Sequence, residues 1–196
     1  MCGICSIENS DPAINLFTDA EYDQVINGIF AGTINVQNLD VNTYRKIAKK
    51  LTEGVFQGYK KSFSDVLYNS PDYTMLRDLR ENVYIFSGAK TYQQTRQVSA
   101  LLTTKDAITS FKDFKDKAYR ILTEYNENYL KTEYNSSIAQ AQSASQWQDI
   151  QATKEDLPML TYHTVQDGRV RPTHRELDGI SRSVDDKFWS NYMPPN

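Results

Sequence analysis

The sequence predicts an α+β fold, with a mainly helical body that contains one long helix and a small β-containing module at the C-terminus. Apolar residues recur at steps of three and four through most of the first 156 residues, which is the spacing of one helix face. From residue 157 the pattern changes to apolar–polar alternation and turn pairs, which are typical of short strands. We therefore divide the chain into an N-terminal tail (1–17), a helical body (18–156) and a C-terminal module (157–196).

Composition limits the class of protein. The 196 residues suit one compact domain with a small appended module, and the formal net charge of -3 argues against a dedicated nucleic-acid-binding protein. No apolar run is long enough to span a bilayer, so no membrane contact is expected. The opening lacks the basic and apolar regions of a signal peptide. The 13 tyrosines suit half-buried helix faces and protein interfaces.

The two cysteines, Cys2 and Cys5, have C-x-x-C spacing at the start of the sequence. A structural zinc site needs four ligands, and the sequence has no second cysteine pair. A reduced tail is therefore the favoured interpretation, and we predict neither a metal nor a cofactor.

Two helices are predicted early in the body. Thr18 and Glu21 have capping-box spacing and predict the start of the first helix, which Gly32 ends. The second helix has an apolar stripe between Tyr44 and Tyr59, with basic residues on the opposite side. Five lysines predict a positive face that makes weak DNA contact or is simply solvated: Lys46, Lys49, Lys50, Lys60 and Lys61.

Pro71 is placed to begin a third helix, because a missing N–H costs little in a first turn. Gly88 is a candidate interruption of this helix, before a further short helix through residues 92–101. One face of the third helix is predicted to carry Leu76, Leu79, Val83 and Phe86.

The longest helical pattern covers residues 109–151, without glycine or proline. Unbroken, it measures roughly 60 Å at 1.5 Å per residue. Small residues between Ser136 and Ser145 predict close packing against another helix. The sequence leaves open whether the helix folds back near Asn135. The predicted buried stripe contains Phe111, Phe114, Ala118, Ile121, Tyr125 and Tyr129.

The module is predicted to contain two short strands, at residues 159–165 and 180–184. Asp167 and Gly168 form a pair that is typical of hairpin turns. Residues 172–177 predict one helical turn. Because neighbours in a strand point to opposite sides, one of Tyr162 and His163 must point away from the module's core.

The run LTYHTVQDGRVRPTHRELDG (160–179), followed by DDKFW (185–189) and PPN (194–196), resembles the Mu F-like minor head protein family of tailed phages and prophages. The resemblance covers about residues 130–196. The family typically continues with a Gly-Trp stretch and a Cys-x-Cys pair, so a truncated or shortened member is expected and no role of that pair is carried over. The residues that match the family motif are Tyr162, Thr164, Asp167, Arg169, Arg171, Pro172, His174, Leu177, Asp178, Gly179, Asp186, Phe188 and Trp189.

The resemblance implies a structural protein, not an enzyme, which is present in few copies and acts in capsid assembly at or near the portal vertex. The implied partners are the portal protein, the capsid protein or both. The implied location is the virion head, or the bacterial cytoplasm during assembly.

The polar residues of the module allow other interpretations. His174 with Arg169 and Arg171 has the residue types of a nuclease or nucleotide-acting site. The favoured alternative is a structural network, in which arginines pair with aspartates and His174 donates to a backbone carbonyl. A metal site with His163 and His174 needs a further ligand, such as Asp167 or Asp178, that the spacing does not demand.

Two further questions stay open from sequence alone. Phe188 and Trp189 form either a hydrophobic plug over the module or exposed anchors for a partner. Besides the phage head protein and the nuclease or nucleotide-acting site, a third hypothesis for function is a generic helical interaction domain without a phage role.

Overall fold

The structure, a computed structural model, describes residues 14–104 and 107–193. It confirms a mainly helical α+β fold. The helices are α1 (Asp19–Phe30), α2 (Val41–Tyr59), α3 (Pro71–Ser99), α4 (Phe111–Thr123), α5 (Leu130–Ala152), α6 (Pro172–Arg175) and α7 (Trp189–Tyr192), with a π-helix (Glu124–Tyr129) between α4 and α5. The strands are β1 (Thr103–Thr104), β2 (Ala107–Ile108), β3 (Met159–Thr161) and β4 (Ser181–Ser183).

The described residues fall into two compact units. The first unit comprises residues 14–54 and 80–137, and the second comprises residues 55–79 and 138–193. Each unit contains one two-stranded antiparallel sheet: β1 pairs with β2 in the first, and β3 pairs with β4 in the second. Among the described residues, none of the helices has the length and apolar character that crossing a membrane would require.

The predicted capping box of α1 is confirmed. The Glu21 amide donates to the Thr18 hydroxyl at 3.3 Å, and the Thr18 amide donates to the Glu21 carboxylate at 2.9 Å. The helix ends at Phe30, and Gly32 takes a left-handed φ of 77° just beyond it. The apolar cluster of the first unit contains Tyr22, Val25, Ile26, Ile29, Val98, Phe114, Ala118 and Leu122.

The predicted interruption at Gly88 is wrong, because α3 continues through it to Ser99. A glycine inside a helix costs only about 0.5–1 kcal/mol relative to alanine, which packing readily offsets. The predicted apolar face is also wrong at Phe86, which is 44% exposed, whereas its neighbour Ser87 is fully buried. The buried side of α3 becomes polar after Val83, so an apolar pattern could not trace it.

The long helix is confirmed as a continuous helical segment, and it does not fold back near Asn135. The buried stripe, however, differs from the predicted one at its start, where Phe111 is 41% exposed, and it shifts by one residue from Ile121 onward. Buried positions instead recur in steps of four at Leu122, Asn126 and Leu130, while Tyr129 is 48% exposed. An α-helix repeats every 3.6 residues, so steps of four drift around its axis unless a wider π turn absorbs the difference.

The small residues of α5 pack closely within the second unit, as predicted. Ala141 is fully buried, and a Cβ atom placed on Gly58 would lie 2.2 Å from the Ile138 carbonyl oxygen. Gly58 therefore allows α2 and α5 to approach at this point.

Candidate interaction site on the C-terminal module

The module is built on the pairing of β3 with β4. Its hydrogen bonds extend beyond the strands: the Val184 amide donates to the Pro158 carbonyl at 2.9 Å, and the Tyr162 amide donates to the Ile180 carbonyl at 2.9 Å. The Gly179 amide returns a bond to the Tyr162 carbonyl at 2.8 Å. Gly179 has a φ of 80°, which suits a residue without a side chain.

The predicted hairpin at Asp167 and Gly168 is wrong. The first strand is shorter than predicted and pairs with β4, which lies beyond Gly179. The Asp167 side chain instead accepts the Arg169 amide at 2.8 Å, and residues 167–170 form an exposed turn. The Asp-Gly pair correctly predicts a turn, but the strand that follows this turn in the prediction is not the one that pairs with β3.

Asp178 organises the segment that follows β3. Its carboxylate accepts the Thr164 amide at 2.7 Å, the Thr164 hydroxyl at 3.2 Å and the Gln166 side-chain amide at 2.8 Å. These bonds, chiefly the one from the Thr164 amide, hold the pKa of Asp178 below its usual value. His163 lies on the outer side with its side chain 70% exposed, 3.8 Å from this carboxylate.

Tyr162 and His174 join the strand to α6. The Tyr162 hydroxyl and His174 Nδ1 share a hydrogen bond of 2.9 Å. Pro172 occupies the first turn of α6, directly after Arg171 as the N-cap residue. His174 therefore bonds a side chain, and the prediction that it donates to a backbone carbonyl is wrong.

The predicted arginine–aspartate network does not form. Within residues 14–104 and 107–193, neither Arg169 nor Arg171 makes an ion pair, and both are exposed. Amide and hydroxyl donors satisfy Asp178 in their place. Both arginines line a shallow pocket of about 280 Å³, together with Tyr162, Thr164, Val165, Val170 and His174.

Two exposed arginines supply the side-chain donors of this pocket. Each guanidinium carries five N–H donors in a planar fork that matches carboxylate and phosphate groups. Tyr162 and Thr164 also line the pocket, and their hydroxyl groups are bonded to His174 and Asp178. The arrangement is suited to bind an acidic group of a partner. Of the predicted motif residues, this pocket brings together Tyr162, Thr164, Arg169, Arg171 and His174. Asp178 accepts a hydrogen bond from Thr164, and the Gly179 amide donates one to the Tyr162 carbonyl.

A second cluster surrounds Trp189. Its indole N–H donates to the Ser183 carbonyl at 2.8 Å, and its side chain is buried with only 5% of the residue exposed. The Asp186 carboxylate accepts the Phe188 amide at 2.8 Å. Phe188 stacks edge-on against Trp189 at 5.0 Å and lies 4.6 Å from the ring of Tyr192, which is 41% exposed. Trp189 thus occupies a plug position, while Phe188 and Tyr192 reach the surface.

The sequence prediction missed Gln166 and Tyr192. Gln166 has a left-handed φ of 54°, and no sequence signal distinguishes it. Tyr192 follows Phe188 by four residues, the spacing at which side chains meet on one helix face, so its contact with Phe188 was detectable. Leu177, another motif residue, is partly buried beside the pocket's supporting turn.

Other predicted features have different outcomes. Among the described residues, no group of three or more His, Cys, Asp or Glu side chains is arranged to hold a metal ion. Cys2 and Cys5 lie outside the described residues.

The predicted lysine face is not carried by one helix, because α2 ends at Tyr59, before Lys60 and Lys61. Three of the five lysines contact carboxylates: Lys46 contacts Glu21, Lys50 contacts Glu53, and Lys61 contacts Asp72.

A model of the family described as Phage Mu protein F like protein matches residues 85–196. The match includes the whole module and more than half of the chain. The chain belongs to this family. It is therefore a phage head-related protein, of a family of structural and morphogenesis proteins. No curated protein and no solved structure matches the chain.

Proposed function

We propose that this protein is a minor structural component of a tailed-phage or prophage head, which acts in capsid assembly at or near the portal vertex. Membership of the Phage Mu protein F like family, over residues 85–196, is the observation that carries the proposal. The protein resides in the virion head once assembly is complete, and it acts by binding rather than by a chemical reaction.

We further propose that the module contacts the portal protein, or else the capsid protein, through the pocket of Arg169 and Arg171. Both guanidinium groups are exposed and lack ion pairs among the described residues, so binding an acidic group breaks no existing ion pair. Hydrogen bonds to charged groups contribute about 1.5–3 kcal/mol each. An acidic patch on the partner is the matching surface.

The first experiment is co-elution of this chain with the portal protein of the same phage genome, using size-exclusion chromatography with light scattering. We expect a complex at micromolar concentrations, and at least about tenfold weaker binding for the Arg169→Ala/Arg171→Ala variant because two charge-assisted contacts are lost. Arg182→Ala is the matched control, because Arg182 is an exposed arginine on β4 of the same module and lies outside the pocket lining.

Folding must be separated from binding in this experiment. The free energy of unfolding of the double arginine variant should lie within about 0.5 kcal/mol of the parent's value, since exposed side chains without ion pairs contribute little to stability. Trp189→Ala is unsuitable as a binding probe, because Trp189 is buried and its loss tests folding. Phe188→Ala probes the neighbouring aromatic surface instead. Separate elution from both portal and capsid proteins would contradict the proposal.

The enzymatic alternative uses the same pocket and is separated by one assay. A nuclease or nucleotide-acting site at His174 and Arg171 would give hydrolysis that disappears in the His174→Ala variant. The structural role predicts no such activity in the parent chain. It also predicts that duplex DNA binds weakly at physiological salt, because added salt reduces the free energy gained when protein binding releases the counterions of DNA.

A further inference from the structure

The outer face of α3 is apolar although it is exposed. Ile85 is 72% exposed, Tyr84 and Phe86 are each 44% exposed, and Tyr92 is 41% exposed. The inner side of the same helix buries polar groups, including Lys90. This arrangement reverses the usual one for a helix on a protein surface, where the apolar side faces the core.

Other residues of the first unit widen this apolar surface. Val41 is 53% exposed, and Leu39 and Tyr44 join it in lining a groove of about 440 Å³ beside Ile85 and Gly88. Contiguous exposed apolar surface of this kind marks an interaction site more often than scattered apolar residues do.

A charge lies at each end of the apolar stretch. Glu81 precedes Ile85 by one helical turn, and Arg96 follows Tyr92 by one turn. Both are exposed, and neither makes an ion pair among the residues that the structure describes. They are fifteen residues apart, roughly 22 Å at 1.5 Å per residue. We call the six residues on this arc the α3 face: Glu81, Ile85, Gly88, Ala89, Tyr92 and Arg96.

The order of residues along the α3 face is self-complementary. When the helix is laid antiparallel against a copy of itself, Gly88 of each copy faces Ala89 of the other. In the same register Ile85 faces Tyr92, and Glu81 faces Arg96, because the two residue numbers add to the same value in each pair. Two-fold symmetry repeats every contact twice.

We propose that the α3 face is the interface between two copies of this chain, with the two α3 helices packed antiparallel. The small residues Gly88 and Ala89 at the centre permit a close helix approach, near the lower end of the usual 8–10 Å interaxial range. Exposed apolar residues on both sides of this centre become buried. Glu81 of each copy then lies opposite Arg96 of the other copy, so both charges gain a partner of opposite sign.

The charges select this orientation over a parallel one. A parallel pair in register would oppose Glu81 to Glu81 and Arg96 to Arg96, and like charges across a helix interface disfavour pairing. Self-association of this kind is independent of the proposed portal contact, which uses the module.

The first test is sedimentation velocity of the full chain across the micromolar concentration range. We expect a monomer–dimer equilibrium, which the Ile85→Lys substitution shifts fully to monomer because it places two buried charges at the interface. Lys49→Glu is a control, since Lys49 is an exposed residue of α2 outside the α3 face. The melting temperature of the Ile85→Lys variant should be unchanged under conditions where the parent is monomeric, because Ile85 is exposed in the single chain.

A charge exchange tests the register. Glu81→Arg and Arg96→Glu should each weaken the homodimer about tenfold or more, since each change opposes like charges at two symmetry-related places. Combining both changes in one chain should restore the dimer. A mixture of the two single variants should form a heterodimer, because every facing pair is then of opposite charge.

Three outcomes would overturn the proposal. The first is a parent chain that stays monomeric at the highest attainable concentration. The second is a dimer that resists Ile85→Lys. The third is a double charge variant that remains as weak as the single variants. If the parent is monomeric and Ile85→Lys instead abolishes portal binding, the α3 face belongs to the portal contact and self-association is wrong.

Discussion

The first unit and the C-terminal module use positive charge in opposite ways. In the first unit, the Lys90 side chain is only 2% exposed, and its ammonium donates to the Glu133 carboxylate and the Tyr125 carbonyl. In the module, Arg169 and Arg171 are exposed and have no ion pair among the described residues. A buried cation must be paired to be tolerated, whereas an exposed one is free to meet a partner.

The difference separates residues that hold the fold from residues that can bind. Burial lowers the pKa of Lys90, and the hydrogen bond from its ammonium to Glu133 opposes that shift. Around it, the first unit also buries Ser87, Thr91 and Gln94. The module instead uses the carboxylate of Asp178 to hold the segment after β3, and the guanidinium groups of Arg169 and Arg171 make no ion pair among the described residues.

The largest expected effect is at Lys90. Lys90→Met leaves Glu133 without its cation, and breaking a partly buried pair of this kind destabilises a protein by about 3–5 kcal/mol. Chemical denaturation monitored by circular dichroism measures the loss. Adding Glu133→Leu should recover much of it, because the pair is then replaced by apolar groups. A single Lys90→Met variant with parent-like stability would show that the ammonium is dispensable.

A smaller effect is expected at Tyr162. Tyr162→Phe removes the hydroxyl that bonds His174, a half-buried contact of 2.9 Å, and should cost about 0.5–1.5 kcal/mol. The same denaturation experiment measures it. Tyr192→Phe provides the comparison, since that residue is 41% exposed and its hydroxyl should matter less. Equal losses in both variants would mean that the bond between β3 and α6 contributes nothing specific.

The smallest effect is local and depends on pH. The pKa of Asp178 is held below its ordinary value of 3.8, chiefly by the Thr164 amide. Its stabilisation of residues 164–166 is therefore present above that value and is lost as pH falls through the lower, folded-state pKa. Amide hydrogen exchange at Thr164 should accelerate in that acidic range. In the Asp178→Asn variant this pH dependence should be absent; protection of Thr164 that persists to the acid limit would argue against the assignment.

The sequence predicted the helices well where burial is apolar. The capping box at Thr18 and the long helix were found because their signals are local and periodic. The buried side of α3 was lost after Val83, since Ser87 and Lys90 are buried through partners that no periodicity reveals. The buried positions predicted for the long helix were wrong beyond Ile121 for a related reason: one of the residues buried there, Asn126, is polar and does not appear in an apolar pattern.

The module shows the complementary limit. Its motif residues were found from a family resemblance, and the structure brings Arg169, Arg171 and His174 to one pocket. Their contacts were not predictable, because Asp178 takes its donors from Thr164 and Gln166 rather than from an arginine. The pairing of β3 with β4 spans about twenty residues, and local turn chemistry at Asp167 cannot specify such a distant strand.

The π-helix at Glu124–Tyr129 sets the rotational phase of everything that follows it in the long helix. A π turn holds about one residue more than an α turn, so winding this segment as an ordinary α-helix with all its residues kept would turn residues 130–137 by about 100° relative to residues 111–123. Leu130 and Ser137, which are both buried, would then rotate away from their present neighbours. Deleting one residue of the π turn restores α-helical winding and leaves that phase nearly unchanged, so a single-residue deletion should be accepted there more readily than elsewhere in the helix.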